Sequence, residues 1–320
     1  MNFELDEQER ALQQGIRELC AGKFPLERIR QMETTGLLDR TLWRELGDAG
    51  VFSLRLPESK GGAGLGWTEA VLVYEELGRA LVPGPVVSTH LAARLIDGAA
   101  TGERVVGLAG RTGERMGAVH FASLDDLIVL DHEGVWRVDP ADVKAEPVTR
   151  PLDPLTPAHI LGELPRGERL ARHLVAARWR VLGDALAAAQ LAGIAAAVTE
   201  LAVAYAKERR QFDRPIGSFQ AVKHLLADMH VRAEVARAAV HAAGVALDRR
   251  SEMLPVRAVS GAKVLAADAA VANGRAAVQV HGGMGFTWEV PVHLYLKRAA
   301  VLSAAFGAPD ELAESLAASL

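Results

Sequence analysis

Leu12, Ile16 and Leu19 recur at helical spacing behind Asp6 and Glu9, which are set three apart as in a capping box. The pattern predicts a first helix with one buried face. Trp43, Leu46 and Val51 continue the apolar periodicity as far as PESKGGAGLG (57–66), where four glycines mark a loop. TEAVLVYEELGRAL then reads as a further helix stopped by Pro83, Gly84 and Pro85. Between 99 and 165 the period changes. LIVL (127–130) and VWRV (135–138) are short β-prone runs joined by the turn residues DHEG, a β-hairpin signature. EPVTRPLDPLTP, with four prolines, reads as an edge strand and linker. From 166 onward the chain is rich in alanine and leucine, and four helices are expected at roughly 168–210, 218–249, 256–280 and 291–304. Phe219, Val222, Leu226 and Met229 would form one buried stripe, and Val264, Val271 and Val278 another at heptad spacing. The expected fold is mainly α: an N-terminal helical domain (1–98), a small β domain (99–165) and a C-terminal four-helix bundle (166–320). Alanine-rich faces would also suit close packing with other copies.

Composition narrows the function classes. With 320 residues, 50% of them hydrophobic, the chain can bury the cores of two or three domains. A net charge of −4 supplies no basic field for nucleic acid or an anionic membrane. Cys20 is the single cysteine, which excludes an intramolecular disulfide and fits a reducing cytoplasm. The start, MNFELDEQER, is acidic where a signal peptide is basic, and no uninterrupted apolar run approaches the ~18 residues of a membrane span. His281 and His293 lack metal-ligand spacing and read as ordinary interior or surface histidines; no metal site is expected.

Two polar clusters carry candidate chemistry. In ERRQFDRPIGSFQ (208–220), guanidinium forks could hold a phosphate and an aromatic could cover a flat ring. Arginines at a helix end also complement its dipole, so a purely structural role competes. In QVHGGMGFTWE (279–289), Gly282, Gly283 and Gly285 follow a helix, whereas the dinucleotide fingerprint sets its glycines between strand and helix. These glycines could terminate the helix or let backbone approach a ligand's phosphates.

Together, YAKERRQFDRPIGSFQAVKHLLADM and AAVQVHGGMGFTWEVPVHLYLKRA resemble the acyl-CoA dehydrogenase family, and the likeness extends to LPESKGGAGLGWTEAVLVYEELGRAL. It implies an N-terminal helical domain, a middle β domain and a four-helix bundle, with FAD held at a subunit interface. It further implies that Arg209 and Phe212, with Gln220 close by, and Gln279, Gly282 and Gly283 from the second loop, touch the adenosine and diphosphate half of FAD. An acyl-CoA thioester would be the substrate and an electron-transferring flavoprotein the electron acceptor.

The chain departs from that family at the base that removes the substrate's α proton. Ungapped matching from LKRA puts Phe306 where most members have glutamate, with Gly307 retained, and a phenyl ring accepts no proton. Some members carry the base early in the first bundle helix. That position counts to Gly183, with Asp184 beside it and about 100° round the helix. Asp184 is therefore either an atypical base or an acidic residue complementing the dipole of a first helical turn. Glu289 lies in a part of the motif shared by many relatives and reads as structural. Nothing between Thr101 and Arg166 matches the family's flavin-ring segment; GLAGRTGERMGA (107–118) is the nearest stretch.

The resemblance thus points to the non-catalytic subunit type of actinobacterial heteromeric (α2β2) acyl-CoA dehydrogenases, some acting on steroid side chains. This chain would complete an FAD site centred on a second acyl-CoA dehydrogenase-like subunit. A self-sufficient homo-oligomer using Asp184, and a flavin-free helical scaffold or acyl-CoA-binding protein, remain alternatives.

Overall fold

A computed structural model describes residues 5–112, 115–249 and 253–319. Part of the glycine-rich stretch 107–118 and of the expected 250–255 linker lies outside the described residues. The chain forms two compact units that cut across the sequence order. One contains Met1–Leu26, Val71–Val82 and Asp184–Leu320; the other contains Glu27–Ala70 and Pro83–Gly183.

In the first unit, α1 (Glu7–Lys23) starts at the expected capping box: Asp6 and Glu9 exchange backbone-to-carboxylate hydrogen bonds, each 2.8 Å. Ile16 and Cys20 form its buried stripe, while Leu12 and Leu19 are half-buried. Burial pushes the Cys20 thiol up to about 12, so this cysteine is an inert core residue. Arg17 of α1 grips Glu76 with two hydrogen bonds of 2.9 and 2.7 Å.

The bundle is built from α6 (His173–Glu208), which belongs to this unit from Asp184 onward, α7 (Gln220–Asp248), α8 (Val256–His281) and α9 (Val292–Ser303), followed by α10 (Pro309–Ala318). Val198, Ala202 and Ala206 of α6, Met229 of α7, Ala277 and Val280 of α8 and Val292 of α9 share one core cluster. Fully buried Asn273 of α8 ties the helices together, its amide donating to the Met229 carbonyl (2.7 Å) and the Thr199 hydroxyl (3.1 Å). These bonds to α6 and α7 hold three helices in register, and Arg232 donates to the amide oxygen (3.4 Å). By length and composition α6 could cross a membrane, but 89% of its most apolar window is buried within the fold. It is the central core helix.

Three expectations need correction. Residues 168–172 pair as a strand, so α6 begins at His173. The valines 264, 271 and 278 are only half-buried; the buried face of α8 runs through Ala262, Ala266, Ala270, Asn273 and Ala277. A fifth helix, α10, follows the expected four.

The second unit contains α2 (Leu26–Thr35) from Glu27 onward and α3 (Arg40–Asp48), capped by Asp39 on the Thr41 and Leu42 amides. α4 (Trp67–Arg79) starts in this unit and finishes in the first; it ends before the prolines, where Leu81 turns left-handed (φ 52°) and the Val82 amide returns to the Leu77 carbonyl (3.0 Å), and Pro85 introduces α5 (Val86–Ala92). Among the described residues of this unit, eight strands make two four-stranded sheets. One has β1 (Val106–Leu108), β4 (Asp126–Leu130), β5 (Gly134–Val138) and β8 (Glu168–Arg172) in that order. The other orders β2 (Gly110–Thr112), β3 (Arg115–Val119), β7 (Ala158–Leu161) and β6 (Ala145–Pro147). The expected hairpin is β4–β5, with Leu127 opposite Val138 and Leu130 opposite Val135. Asp131 Oδ1 closes its turn by accepting the Glu133 and Gly134 amides. Pro147 lies on the edge strand β6, where a missing N–H does no harm. Ala118 and Leu161 from one sheet and Leu127 and Val138 from the other share a core. Asp126 is buried between the guanidinium groups of Arg104 and Arg137, at 2.5 and 2.6 Å.

Candidate functional site

The two polar clusters of the sequence rise from one end of the bundle. After α6, the Arg209 amide still donates to the Tyr205 carbonyl (2.8 Å), and the chain then turns back as a two-residue hairpin. Its strands are β9 (Arg210–Gln211) and β10 (Arg214–Pro215). The two turn residues, Phe212 and Asp213, both have positive φ, 53° and 62°, as a type I′ turn demands. The Ile216 amide returns to the Arg209 carbonyl (2.8 Å), and its side chain packs on the shared bundle core. On the other side α8 stops at Gly282 and a 3-10 turn, Gly282–Phe286, leads to Val290 and Val292 on that same core. The rings of Tyr205 and His281 stack at 4.2 Å, joining the last turns of α6 and α8 directly beneath the two loops.

The six residues singled out by motif are all exposed here: Arg209, Phe212 (85% exposed), Gln220, Gln279, Gly282 and Gly283. The arginines divide by role. Arg210 donates to the Asp213 carbonyl (2.8 Å), and Arg214 lies 4.0 Å above the Phe219 ring, which Phe212 meets edge-on. Arg209 has no side-chain partner among the described residues. The glycines divide too. Gly282 has φ 60°, so helix termination accounts for it, and a β-carbon on Gly285 would come 2.7 Å from the Val278 carbonyl oxygen. Gly283 has neither positive φ nor any atom within 4 Å of the place a β-carbon would take. The fold itself does not require a glycine at 283, but a ligand approaching the backbone would. α7 opens on Phe219, which offers no side-chain cap, so its first amides are free for solvent or an anion. An apolar cleft of about 330 Å³, lined by Val203, Ala206, Pro215, Gly217 and Leu226 among others, adjoins the hairpin; no sequence pattern announced it.

Phe306 and Asp184 belong to a different place, the α9–α10 connection. Phe306 is half-buried in the left-handed region, φ 65°, a costly conformation for a bulky residue. Its loop is braced from below. The fully buried Lys263 donates through Nζ to the Leu302 (2.9 Å) and Ala305 (3.1 Å) carbonyls. Asp184, 5% exposed, accepts the Gly307 amide at 3.0 Å. Burial raises the Asp184 carboxyl to about 6, opposed by the positive Lys263 and by the Gly307 amide. Burial lowers Lys263 to about 8, opposed by Asp184. A β-carbon at 307 would sit 3.0 Å from Asp184 Oδ2 and Leu312, which accounts for the retained glycine. Sequence reasoning missed Lys263 because a lone lysine in a helix reads as solvated. Glu289 is exposed, and His281 is an interior histidine whose Nδ1 lies 2.8 Å from the Ala277 carbonyl.

Residues 6–104 match the family profile "Acyl-CoA dehydrogenase, N-terminal domain" and residues 182–320 match "Acyl-CoA dehydrogenase, C-terminal domain". The chain belongs to the acyl-CoA dehydrogenase family. It is 37% identical to the acyl-CoA dehydrogenase FadE34 of Mycobacterium tuberculosis over 81% of its own length but only 39% of that protein's. It is 33% identical to the acyl-CoA dehydrogenase IpdE2 of Mycolicibacterium smegmatis, over 96% of this chain and 97% of that one. Among solved structures, the ChsE4-ChsE5 complex from Mycobacterium tuberculosis superposes with a TM-score of 0.84 at 25% identity, covering 99% of this chain and 98% of the other. The acyl-CoA dehydrogenase fold of helical segment, β-sheets and four-helix bundle is therefore established, and FAD is the cofactor of this family of oxidoreductases.

Proposed function

We propose that this acyl-CoA dehydrogenase chain works as one subunit of a two-subunit enzyme, giving the adenosine and diphosphate half-site of FAD to a partner that carries the base and the flavin-ring site. The observation that carries the reading is the contrast between the two loops. At the α9–α10 connection, where a base is expected, stands Phe306, and Asp184 is engaged in bracing that loop. At the hairpin end, Arg209 and Phe212 are exposed and Gly283 leaves its backbone open.

The donor set fits an adenosine diphosphate. Arg209 supplies a guanidinium for the diphosphate, Gly283 permits close backbone approach, and Gln220 and Gln279 add neutral hydrogen-bonding groups. The exposed Phe212 ring can cover a base. FAD, when bound, supplies the electron acceptor for α,β-dehydrogenation of an acyl-CoA thioester, and an electron-transferring flavoprotein would reoxidise the complex. Likeness to the two-chain ChsE4-ChsE5 complex and full-length likeness to IpdE2 support this reading.

The test is to purify the chain alone and together with a second acyl-CoA dehydrogenase-like subunit, recording flavin absorbance and acyl-CoA oxidation. Flavin and turnover are expected only from the pair; turnover by this chain alone would overturn the reading and turn attention to Asp184. In the pair, Arg209→Ala should weaken FAD retention about tenfold or more, the scale of one hydrogen bond to a charged group. Unchanged retention would remove Arg209 from the site.

A further inference from the structure

His281 stands between Gln279 and Gly282, and its ring is fixed in more than position. Only 5% exposed, it is stacked on Tyr205 at 4.2 Å with the planes 23° apart, so it cannot turn over freely. Its Nδ1 lies 2.8 Å from the Ala277 carbonyl oxygen, a group that can only accept. Nδ1 therefore carries the hydrogen, and burial, which lowers this histidine's affinity for a second proton, keeps the ring neutral. In that tautomer Nε2 is an acceptor with its lone pair open. Nε2 has no protein partner among the described residues, and it is not among the polar atoms sealed from solvent. An acceptor fixed in direction by the stack and the Ala277 bond, and open to solvent, is left for a donor from outside the chain.

We propose that His281 Nε2 is a further binding group of the half-site, accepting a hydrogen bond from the adenosine of bound FAD, either from a ribose hydroxyl or from the adenine amino group. The inference rests on the proposed half-site and adds a polarity to it. Arg209 and the open backbone recognise negative oxygen, whereas His281 recognises a donor. The Ala277 carbonyl sets that preference through the tautomer, and the Tyr205 stack holds the ring at the base of both loops. A second proton on the ring would convert the acceptor into a donor and abolish the contact.

The experiment measures FAD affinity of the two-subunit complex by flavin fluorescence, for the native chain, His281→Phe and Arg209→Ala. Phenylalanine keeps a flat ring for the Tyr205 stack and removes both nitrogens, and thermal unfolding checks that the variant is folded. His281→Phe is expected to weaken FAD about tenfold, one neutral hydrogen bond's worth. Flavin hypoxanthine dinucleotide, which lacks the adenine amino group, and flavin 2′-deoxyadenosine dinucleotide separate the two donors. One of them should bind the native complex about tenfold more weakly than FAD but bind the His281→Phe complex as FAD does. If Arg209→Ala loses FAD while His281→Phe retains it fully, the inference fails and the half-site stands. Should His281→Phe weaken FAD and both analogues alike, the ring serves packing alone and the inference also fails. If neither variant changes FAD affinity, the half-site reading itself falls, taking this one with it.

Discussion

Lys263→Met is expected to destabilise the bundle by about 2–5 kcal/mol, the cost of leaving two carbonyls without their donor and a buried carboxylate without its nearby positive charge. Methionine matches the length of lysine but strips the Leu302 and Ala305 carbonyls of their donor and leaves the Asp184 carboxylate without the positive charge that favours its ionised form. Urea unfolding measures the loss, and amide exchange at 302–307 should show the loop opening first. The sign of the pH dependence is also fixed. Asp184 is raised to about 6, above its ordinary 3.8, so its contribution to stability is complete below 3.8 and is lost as pH rises through the folded value. Lys263, lowered to about 8 from 10.5, contributes fully above 10.5 and loses that as pH falls through about 8. Without Lys263 the Asp184 carboxyl moves higher still. The deficit of Lys263→Met against the native chain should therefore shrink between pH 8 and pH 5, and adding Asp184→Asn should recover part of it at pH 8. A deficit that stays constant or grows on acidification would mean that the two groups are not coupled.

That brace also shows where the sequence was readable and where it was not. The capping box at Asp6, the β4–β5 hairpin and the four long helices announce themselves because each leaves a local signature of cap, turn chemistry or period. The other strands are two to five residues long, with ERLAR of β8 showing no alternation at all. On α8 the valines drew attention while the buried face is made of alanines, which are too common in every face of this bundle to mark a stripe. Lys263 sits on that alanine face, and no local rule distinguishes it from a solvated lysine. The residues of the proposed half-site were reachable only as motifs. Backbone geometry then separated glycines that look alike in sequence: Gly282 ends a helix, Gly285 packs on Val278, and Gly283 is open.

Gly193→Ala should be as damaging as the lysine change, against the preference of the helix that contains it. In α6, alanine is favoured over glycine by about 1 kcal/mol in an exposed helix interior. Here, however, a β-carbon on Gly193 would collide with the Glu75 carbonyl oxygen of α4 and lie 2.9 Å from the Arg79 nitrogen. Gly78 of α4 meets the Gln190 backbone in the same way, so the two helices cross on reciprocal glycines with main chain against main chain. Backbone cannot yield as a side chain can. Forcing α4 outward would also pull at Glu75, bonded to His241 at 2.8 Å, and at Glu76, bonded to Arg17. Overpacking alone costs about 1–3 kcal/mol and more where backbone must move, so a net loss of about 3 kcal/mol is expected. Gly261→Ala on α8 is the internal control. It has no atom within 4 Å of its β-carbon position and no positive φ, so alanine there should leave stability unchanged or raise it by up to about 1 kcal/mol. The two urea midpoints should move in opposite directions or, at the least, separate widely. If Gly193→Ala also proved neutral or stabilising, the helices would not cross as closely as their backbones indicate.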